Sequence, residues 1–494
     1  MWAKNFKARF DGANGLTFMT RAQMEDFHTQ VLDLLNSVGM EVQHKKALEL
    51  CEKAGCRVVK KRVYFPPTVV EWAIKAAPSR ILLYDRDGNF ALDVSGRNAW
   101  FGVGSAEPNI IDPYTLKPRL CTEEDNKNAV KVADAMPYID FMMSNCQVYD
   151  HPITSYEHEY AAMIRYSSKP QVVITGGYES TKNVVEIASM VRGGEDKLAQ
   201  KPLFILYSEP ISPLVCNKDS IDELEYVAER NIPVLYAPIP MNGATGPITM
   251  EANIIQGVAE CLVGLVLAEL FRPGAPFLFG GILTNMDMKS LQPTYASPET
   301  QVESLAMAEI GRELYHLPTW GTCGCTSSKM SDEQAVLEGT QYITMAALSG
   351  ANINHDIGYT TFGLTLSLDY VVMMNDVIGR MRRIADSVKP CPENNLMDDI
   401  KEVGPKGHFL GQESTLYRNK ENWESDLEDR YEYDKWMSAG GTTMRDKAIA
   451  KVRDIIENGE LNALPKEMDD QIVEFLNKID AEERKTRPEA FADK

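Results

Sequence analysis

The chain has 494 residues, 44% of them hydrophobic and 25% charged, which suits one large domain with additions or two to three average domains. The formal net charge is −20 and no basic cluster occurs, which excludes an ordinary nucleic-acid-binding surface. No apolar run of membrane-spanning length and no signal-peptide layout is recognised, so we expect a soluble cytoplasmic protein that binds neither nucleic acid nor membrane.

The first 95 residues have the pattern of an α+β segment that packs on a larger domain. Thr20 suits the cap of a first helix, whose apolar spacing lasts until Gly39. The pair Pro66-Pro67 suits the first turn of a third helix. The further elements predicted here are a helix near 45–54, a helix over 66–77, and a hairpin built from 81–84 and a turn at 85–89.

Between about 96 and 390, short apolar runs alternate with segments of helical spacing. The runs begin roughly 30 to 45 residues apart, as repeated strand–helix units require. Eight units favour a closed (β/α)8 TIM barrel over an open sheet, which would normally place a nucleotide fingerprint after its first strand. Helix starts are predicted at Asp219, Thr249 and Ser331. The predicted strands are 100–103, 141–148, 171–175, 203–207, 234–239, 277–279, 319–322 and 352–355.

Residues 391–494 lose this alternation and predict a C-terminal helical extension. A proline-containing linker precedes it, and helical spacing returns near 443–458 and 466–482. The predicted fold is therefore α/β, with a TIM barrel over 96–390, an N-terminal α+β segment over 1–95 and the helical extension over 391–494.

In a TIM barrel the catalytic residues lie at the carboxyl ends of the strands, so these ends are the informative positions. Here they carry carboxylates and tyrosines but almost no lysine or arginine, which favours a cationic ligand over an anionic one. Any one of them could equally be a surface turn residue, so the prediction depends on their shared bias. The carboxylates are Glu107, Glu179, Glu209 and Asp356, and the tyrosines are Tyr178, Tyr207 and Tyr359.

Glycine recurs at most of the same strand ends, and two interpretations stay open. The glycines let a large flat ligand approach the backbone, or they only form the tight turns between strand and helix. They include Gly102, Gly104, Gly177, Gly281 and Gly324.

Metal chemistry is the competing interpretation. Nine cysteines stand at irregular positions, and we expect all of them to be reduced thiols. Cys323 and Cys325 with His355 form only a weak zinc pattern, so buried inert thiols are favoured and no metal site is predicted. Two other functions stay open: a metal- or acid–base-dependent lyase or hydrolase using Glu209 and His355, and a barrel that binds a betaine without catalysis.

Short stretches spread along the chain carry a resemblance to a known family. They are a proline pair at 66–67 and the stretches 34–39 (LLNSVG), 83–89 (LYDRDGN), 102–105 (GVGS), 111–113 (IDP), 325–329 (CTSSK), 332–335 (DEQA) and 403–410 (VGPKGHFL). Each is modest alone, but the combination is specific and spans nearly the full length. On these stretches the sequence resembles the trimethylamine methyltransferase family of corrinoid-dependent enzymes.

The resemblance implies a TIM barrel that moves a methyl group from a methylated amine to the Co(I) of a separate corrinoid protein, without a tightly bound cofactor of its own. Only the twenty standard residues occur, so the sequence is similar to the branch without pyrrolysine. Substrates assigned in that branch are quaternary amines such as glycine betaine, proline betaine, carnitine or γ-butyrobetaine. Thr319-Trp320 stands where a short-betaine enzyme would carry arginine, which disfavours glycine betaine. A homo-oligomer is also expected.

A quaternary ammonium needs no general acid, because loss of one methyl group releases a neutral tertiary amine. We expect aromatic faces near the methyl groups, and His355 or other hydrogen-bonding groups holding a carboxylate at the far end. The residues expected to be catalytic are His355, Tyr359 and Glu209, those expected to bind substrate are Tyr178, Tyr207, Trp320, Gln147 and Asp356, and those expected to face the corrinoid are Gly102, Gly104, Ser105, Gly177, Gly281 and Gly324.

Overall fold

Helices and strands alternate through most of this mixed α/β chain. The computed structural model describes residues 15–388 and 390–487, so the parts of the predicted terminal segments at 1–14 and 488–494 lie outside the described residues. The α-helices are α1 (Arg21–Ser37), α2 (Lys45–Lys53), α3 (Pro67–Ala76), α4 (Glu123–Asp134), α5 (Ser155–Tyr166), α6 (Tyr178–Arg192), α7 (Glu195–Gln200), α8 (Lys218–Glu229), α9 (Met250–Phe271), α10 (Pro298–Glu309), α11 (Glu333–Ser349), α12 (Leu368–Ala385), α13 (Met397–Val403), α14 (Glu413–Arg418), α15 (Tyr433–Ser438), α16 (Met444–Asn458) and α17 (Lys466–Thr486).

The strands are β1 (Met40–Val42), β2 (Arg57–Val59), β3 (Arg62–Tyr64), β4 (Ile81–Tyr84), β5 (Phe90–Val94), β6 (Trp100–Val103), β7 (Asn109–Ile111), β8 (Pro118–Leu120), β9 (Met142–Met143), β10 (Gln171–Ile174), β11 (Phe204–Ser208), β12 (Val215–Cys216), β13 (Val234–Tyr236), β14 (Met241–Asn242), β15 (Phe277–Leu278), β16 (Thr284–Asp287), β17 (Gln292–Pro293), β18 (Trp320–Thr322), β19 (Ile353–Ile357), β20 (Tyr359–Thr360) and β21 (Thr365–Leu366). A π-helical turn (Ile310–Leu314) and 3-10 turns (Pro392–Asn394, Asn419–Glu421) complete the elements.

The N-terminal elements form where the sequence predicts them. Thr20 and Gln23 make a capping box at the start of α1, in which each side chain accepts from the other's backbone N–H. The helix ends before Gly39, whose φ of +70° suits glycine at a helix terminus. The predicted second and third helices and the hairpin are confirmed as α2, α3 and the antiparallel pair β4–β5.

Each of the eight predicted runs contains a strand, and these strands are parallel wherever they pair. One sheet has the order β15-β13-β11-β10-β9, and a second has the order β18-β19-β6. Isolated parallel bridges pair Gly102 with Phe141, and Phe279 with Thr319. The strand positions are confirmed, although β9 is much shorter than the predicted run 141–148. Closure of the two sheets into one TIM barrel stays a prediction.

One buried cluster takes side chains from all eight of these strand regions. The β4–β5 hairpin packs on this cluster at the amino ends of the strands. Two hydrogen bonds show this position: the Trp100 indole donates to the carbonyl of Asp93, and the backbone N–H of Tyr84 donates to the carbonyl of Pro202. The hairpin therefore leaves the carboxyl ends of the strands uncovered, and a functional site can form there. The strand-region members are Trp100, Phe141, Met143, Val172, Ile205, Tyr207, Leu235, Ala237, Leu278, Trp320 and Ile353.

Two of the three predicted helix starts are wrong by one or two residues. Asn217 caps α8, so Asp219 lies inside its first turn. Asp332 rather than Ser331 caps α11, because the aspartate side chain accepts from a backbone N–H of the first turn. Thr249 precedes α9 as predicted.

Helix α9 is the most apolar long helix among the predicted strand–helix units. It is long and apolar enough to cross a membrane by length and composition alone, although Glu260 and Glu269 interrupt its apolar residues. Within the protein, 83% of its apolar stretch is buried, and it packs against α1, α3, α8 and α10. This burial is that of a core helix.

The predicted helices of the C-terminal extension are confirmed as α16 and α17. Helix α16 packs on α12 and α4, whereas α17 packs on α5 and α6 and is tied to α5 by an ion pair of 2.6 Å between Arg165 and Asp469. The segment boundaries at 95/96 and 390/391 stay predictions.

A disulfide joins Cys121 and Cys146, linking the residue after β8 to the segment after β9. Their Cα atoms lie 6.2 Å apart, within the range that a disulfide spans. The expectation that all nine cysteines are reduced is therefore wrong for this pair. Sequence spacing could not reveal it, because the fold brings together two residues that are 25 positions apart.

Candidate active site at the strand ends

A pocket of about 480 Å³ opens among the segments that follow the parallel strands, and we call it the strand-end pocket. Its volume lies within the usual range for a small-molecule site. The lining residues are Ser105, Ala106, Glu107, Met143, Gln147, Tyr156, Ile174, Thr175, Gly176, Gly177, Tyr207, Ser208, Glu209, Asn217, Asp219, Ser220, Glu223, Ile239, Ile282, Tyr295, His355 and Asp356.

The consecutive residues His355 and Asp356 of β19 both line this pocket, although neighbouring strand residues normally point to opposite faces. The pairing of β19 with β6 shifts register between Asn354 and Ile357, so that two residues stand opposite the single residue Gly102. Such a β-bulge re-aims side chains. Asp356 lies in this β-bulge and has a φ of +77°. This left-handed conformation is one that aspartate tolerates better than most residues.

The imidazole of His355 is held as a hydrogen-bond acceptor. Its Nδ1 lies 3.2 Å from the carbonyl oxygen of Gly321, and since a carbonyl only accepts, Nδ1 carries the proton. Burial lowers the pKa of His355, so the ring is neutral near pH 7 and Nε2 keeps its lone pair. The Trp320 ring packs on it with centroids 4.4 Å apart, which holds its orientation.

Asp356 presents a second acceptor beside it. The residue is 1% exposed, and its Oδ2 accepts a hydrogen bond of 2.6 Å from the hydroxyl of Thr322. Among the described residues, its Oδ1 and the Nε2 of His355 have no hydrogen-bond partner, and the two atoms lie 3.3 Å apart. Two adjacent acceptors at a pocket wall suit a donor or a cation.

Further carboxyl groups make the pocket acidic. Burial, and after it the charge of Asp356, raises the pKa of Glu107 to about 8. Burial also raises the pKa of Glu223 to about 7, although the hydroxyls of Ser208 and Thr175 donate to it at 2.7 and 3.0 Å. None of the described lining residues is a lysine or arginine, so no basic side chain balances these groups.

Three tyrosines give the pocket aromatic surface: Tyr156, Tyr207 and Tyr295. The hydroxyl of Tyr207 donates to Glu209 at 3.0 Å, at the exposed edge of the pocket, and its ring packs 5.9 Å from that of Trp320. Aromatic faces beside carboxylates attract organic cations.

Several residues predicted for the site lie elsewhere. Trp320 is fully buried behind His355 and supports the imidazole. Tyr359 is also fully buried, and its hydroxyl donates to the carbonyl of Asn145. Tyr178 is 41% exposed on α6 and does not line the pocket. The predicted residues that do line it are Ser105, Gln147, Gly177, Tyr207, Glu209, His355 and Asp356.

Most of the strand-end glycines serve internal packing rather than an open surface. A Cβ atom on Gly102 would lie 2.3 Å from the Phe141 ring, and the other glycines outside the pocket are similarly crowded. Gly177 differs, because it lines the pocket and a Cβ there would meet nothing within 4 Å. The glycines that do not line the pocket are Gly102, Gly104, Gly281 and Gly324.

Sequence reasoning missed Glu223, Tyr156 and Tyr295, and named Glu107 without a role. Glu223 shares the buried face of α8 with Ser220 and is only 6% exposed. The feature of the sequence that could have identified Glu223 is a carboxylate on an otherwise buried helical face.

The described residues do not gather Cys323, Cys325 and His355 into a metal-ligand set. Burial raises the pKa of both thiols well above the usual range, which keeps them protonated. The group of three metal-type side chains found among the described residues is Glu123, His151 and His158, with ligand atoms within 4.8 Å of one another, outside the strand-end pocket.

Comparisons with known proteins agree with the sequence resemblance. The model of the family described as trimethylamine methyltransferase (MTTB) matches residues 6–483. The chain is 30% identical to trimethylamine methyltransferase MttB of Desulfitobacterium hafniense (strain DSM 10664 / DCB-2), with 93% of each chain covered. It is 28% identical to the glycine betaine methyltransferase of Desulfitobacterium hafniense (strain Y51), with 93% of this chain and 96% of the relative covered.

Among solved structures, the chain is similar to the monomethylamine methyltransferase (MtmB) of Methanosarcina barkeri. The TM-score is 0.51 at 13% identity, with 93% of this chain and 94% of that chain covered. At this identity the likeness concerns the fold, and it agrees with the mixed α/β architecture. Since the family model spans almost the whole sequence and the similar relatives are named methyltransferases, the chain belongs to the trimethylamine methyltransferase family.

Proposed function

We propose that the protein transfers a methyl group from a quaternary amine to the Co(I) of a corrinoid carried by a cognate partner protein. The observation that carries this proposal is the lining of the strand-end pocket, which combines carboxyl groups and tyrosine faces without a described lysine or arginine. Such a lining favours a cation. Membership of a methyltransferase family supplies the type of reaction.

The proposed step balances without a proton. The electron pair of Co(I) forms the new bond to the methyl carbon, and the electrons of the broken C–N bond leave with nitrogen. The products are methyl–Co(III) and a neutral tertiary amine. No general acid is required, which suits a neutral His355 whose Nε2 carries no proton.

The protein mainly has to position substrate and acceptor in line. Positive charge on nitrogen disappears during the step, so ionised carboxylates in contact with it would stabilise the bound substrate more than the transition state. The raised pKa values of Glu107 and Glu223 limit this effect near neutral pH. Tyrosine faces contribute about 0.5 to 2 kcal/mol each to cation binding.

Within this proposal, Tyr207, Tyr156 and Tyr295 contact the methyl groups, and Asp356 is the counter-ion of the ammonium. His355 positions the substrate through its acceptor nitrogen. The exposed residues Glu209 and Gln147 lie at the edge of the pocket, beside the fourth substituent of the amine. Tyr359 and Trp320 are assigned supporting roles, since both are fully buried.

The wider arrangement is also a proposal. We infer that the two parallel sheets form one closed TIM barrel, which is supported by the shared cluster of inner side chains and by the two bridges between the sheets. The corrinoid approaches from the open side near Gly177, because a pocket of about 480 Å³ suits the amine rather than the macrocycle. We further propose that the protein is a cytoplasmic homo-oligomer.

The test mixes purified protein with reduced cobalamin, or with a reduced corrinoid protein, and a panel of methylated amines. Methylcobalamin formation is followed by absorbance, and the released amine is quantified. We expect at least one quaternary amine to yield methylcobalamin and tertiary amine in equal amounts. Transfer from trimethylamine but from no quaternary amine would contradict the proposed substrate class.

A further inference from the structure

We infer that the fourth substituent of the ammonium bears no carboxylate, and that the pocket selects a quaternary ammonium with a hydroxylated or plain alkyl group, such as choline or tetramethylammonium. This inference rests on the proposed function and narrows it. It departs from the expectation that His355 holds a substrate carboxylate.

The first support is the charge of the pocket. Its described lining contains five carboxyl residues and no lysine or arginine. A betaine carboxylate would find no basic side chain in this described lining to pair with, which is unfavourable for an ionised group that leaves water. The five are Glu107, Glu209, Asp219, Glu223 and Asp356.

The second support is the direction of hydrogen bonding at the buried wall. The Nε2 of His355 carries a lone pair, because Nδ1 uses its proton on the Gly321 carbonyl. The adjacent Oδ1 of Asp356 also only accepts, and neither atom has a partner among the described residues. Both atoms repel a carboxylate, whereas both can accept from a hydroxyl or face a cation.

The third support is that the donors at the wall beside the start of α6 are already engaged by Glu223. The hydroxyls of Ser208 and Thr175 donate to the carboxyl group of Glu223. The same group accepts from the backbone N–H of Gly177 at the start of α6, the helix terminus that would otherwise attract an anion. At this wall a carboxyl group of the protein therefore already takes the donors that a substrate carboxylate would use.

The experiment compares kcat/KM for choline and tetramethylammonium with that for glycine betaine and carnitine, using the full chain and reduced cobalamin. Calorimetric titration of the same four compounds measures binding independently of turnover. We expect choline or tetramethylammonium to exceed both carboxylate-bearing compounds about 100-fold or more in kcat/KM and in affinity. Equal or higher values for glycine betaine or carnitine would overturn the inference and leave the proposed function intact.

Failure of the proposed function and failure of this inference give different results. If no amine supports methyl transfer, the proposed function fails, while the binding preference still decides the inference on its own. Tighter binding of choline would support it, and tighter binding of a betaine or no discrimination would overturn it.

A matched pair of charge reversals sharpens the test. Glu209→Arg places a cation at the exposed edge of the pocket, whereas Glu179→Arg makes the same change at an exposed residue of α6 outside the lining. We expect Glu209→Arg to shift the carnitine-to-choline ratio of kcat/KM about tenfold or more towards carnitine, and Glu179→Arg to leave it unchanged. An unchanged ratio in Glu209→Arg, or equal shifts in both variants, would contradict the inference.

Discussion

The Nε2 of His355 and the Oδ1 of Asp356 lie 3.3 Å apart, and neither atom has a hydrogen-bond partner among the described residues. Consecutive strand residues meet in this way only because β19 bulges opposite Gly102. The left-handed backbone of Asp356 costs on the order of 1 kcal/mol, and strained residues of this kind cluster at functional sites. The central proposal depends on this pair.

Asp356→Asn removes the proposed counter-ion but keeps the shape and the tolerance for a positive φ. We expect kcat/KM for a quaternary amine to fall about 10- to 100-fold, since an interaction with a charged group is worth about 1.5 to 3 kcal/mol. Thermal unfolding should stay close to that of the unmodified protein. Steady-state methyl transfer and calorimetry measure the two effects.

The control for this variant is Glu179→Gln, which removes a carboxylate that is 73% exposed and forms an ion pair with Lys182 on α6. Methyl transfer should be unchanged in it. Full activity in Asp356→Asn, or an equal loss in both variants, would remove Asp356 from the site.

Cation binding should strengthen with pH. The pKa of Glu107 is raised to about 8 by burial and by Asp356, so the group is mostly protonated at pH 7 and a cation binds better to its ionised form. Affinity should therefore rise between pH 7 and 9, by at most about tenfold per pH unit, and level off above the pKa. Titration with tetramethylammonium in buffers of different ionisation enthalpy measures the affinity and the released protons.

Glu107→Gln tests the assignment of this pH dependence. The variant should lose most of the rise between pH 7.5 and 8.5, while Glu223, with a pKa of about 7, still contributes at lower pH. An identical profile in the variant and the unmodified protein would exclude Glu107 as the titrating group.

Tyr359 was expected to be catalytic, and its burial leads to a different prediction. Tyr359→Ala should destabilise the protein by about 3 to 5 kcal/mol, because it leaves a large cavity. Tyr359→Phe removes only the hydrogen bond to the Asn145 carbonyl, worth about 1 kcal/mol, and should keep methyl transfer within about threefold. A much larger loss of activity in Tyr359→Phe, with unchanged thermal unfolding, would restore a catalytic role.

The cluster that docks α17 predicts a loss of stability at high pH. The stacked rings of His151 and His158 contact Glu123 and Asp480. Burial opposes protonation of His151, but Asp480 and Glu123 outweigh it and raise the pKa to about 9. The imidazolium interactions are therefore complete below the unfolded pKa of about 6.5 and are lost as pH rises through about 9.

We expect the free energy of unfolding to fall by about 1 to 3 kcal/mol between pH 6.5 and 9.5, measured by urea denaturation. Asp480→Asn should flatten this dependence and make α17 more sensitive to proteolysis. Glu474→Gln, an exposed change on the same helix, should do neither. The same slope in Asp480→Asn would show that another group titrates.

Periodicity and capping residues were enough to predict much of the fold. The cap at Thr20 and the eight apolar runs lie where α1 and the parallel strands form, because these signals are local. His355 and Asp356 were found because both stand at the carboxyl end of a predicted strand. The bulge that turns both side chains into one pocket is a property of strand pairing, which a single strand does not reveal.

Other parts of the site depend on packing between distant elements. Glu223 reaches the pocket from α8 and Tyr295 from the segment before α10, so neither follows one of the eight predicted strands. Trp320, expected to bind substrate, is instead fully buried and packs on the His355 ring, because alternation along β18 does not say which residue His355 covers. The disulfide of Cys121 and Cys146 is likewise visible only in three dimensions.

The most direct test of methyl transfer uses choline labelled with ¹³C in its methyl groups, incubated with the protein and reduced cobalamin. We predict that the label appears as cobalt-bound methyl in the ¹³C spectrum, with one equivalent of dimethylaminoethanol released for each methyl transferred. Repeating the measurement with labelled glycine betaine and trimethylamine identifies the donor if choline is inactive. Absence of cobalt-bound label with every quaternary amine in this set, while the protein remains folded, would contradict the account.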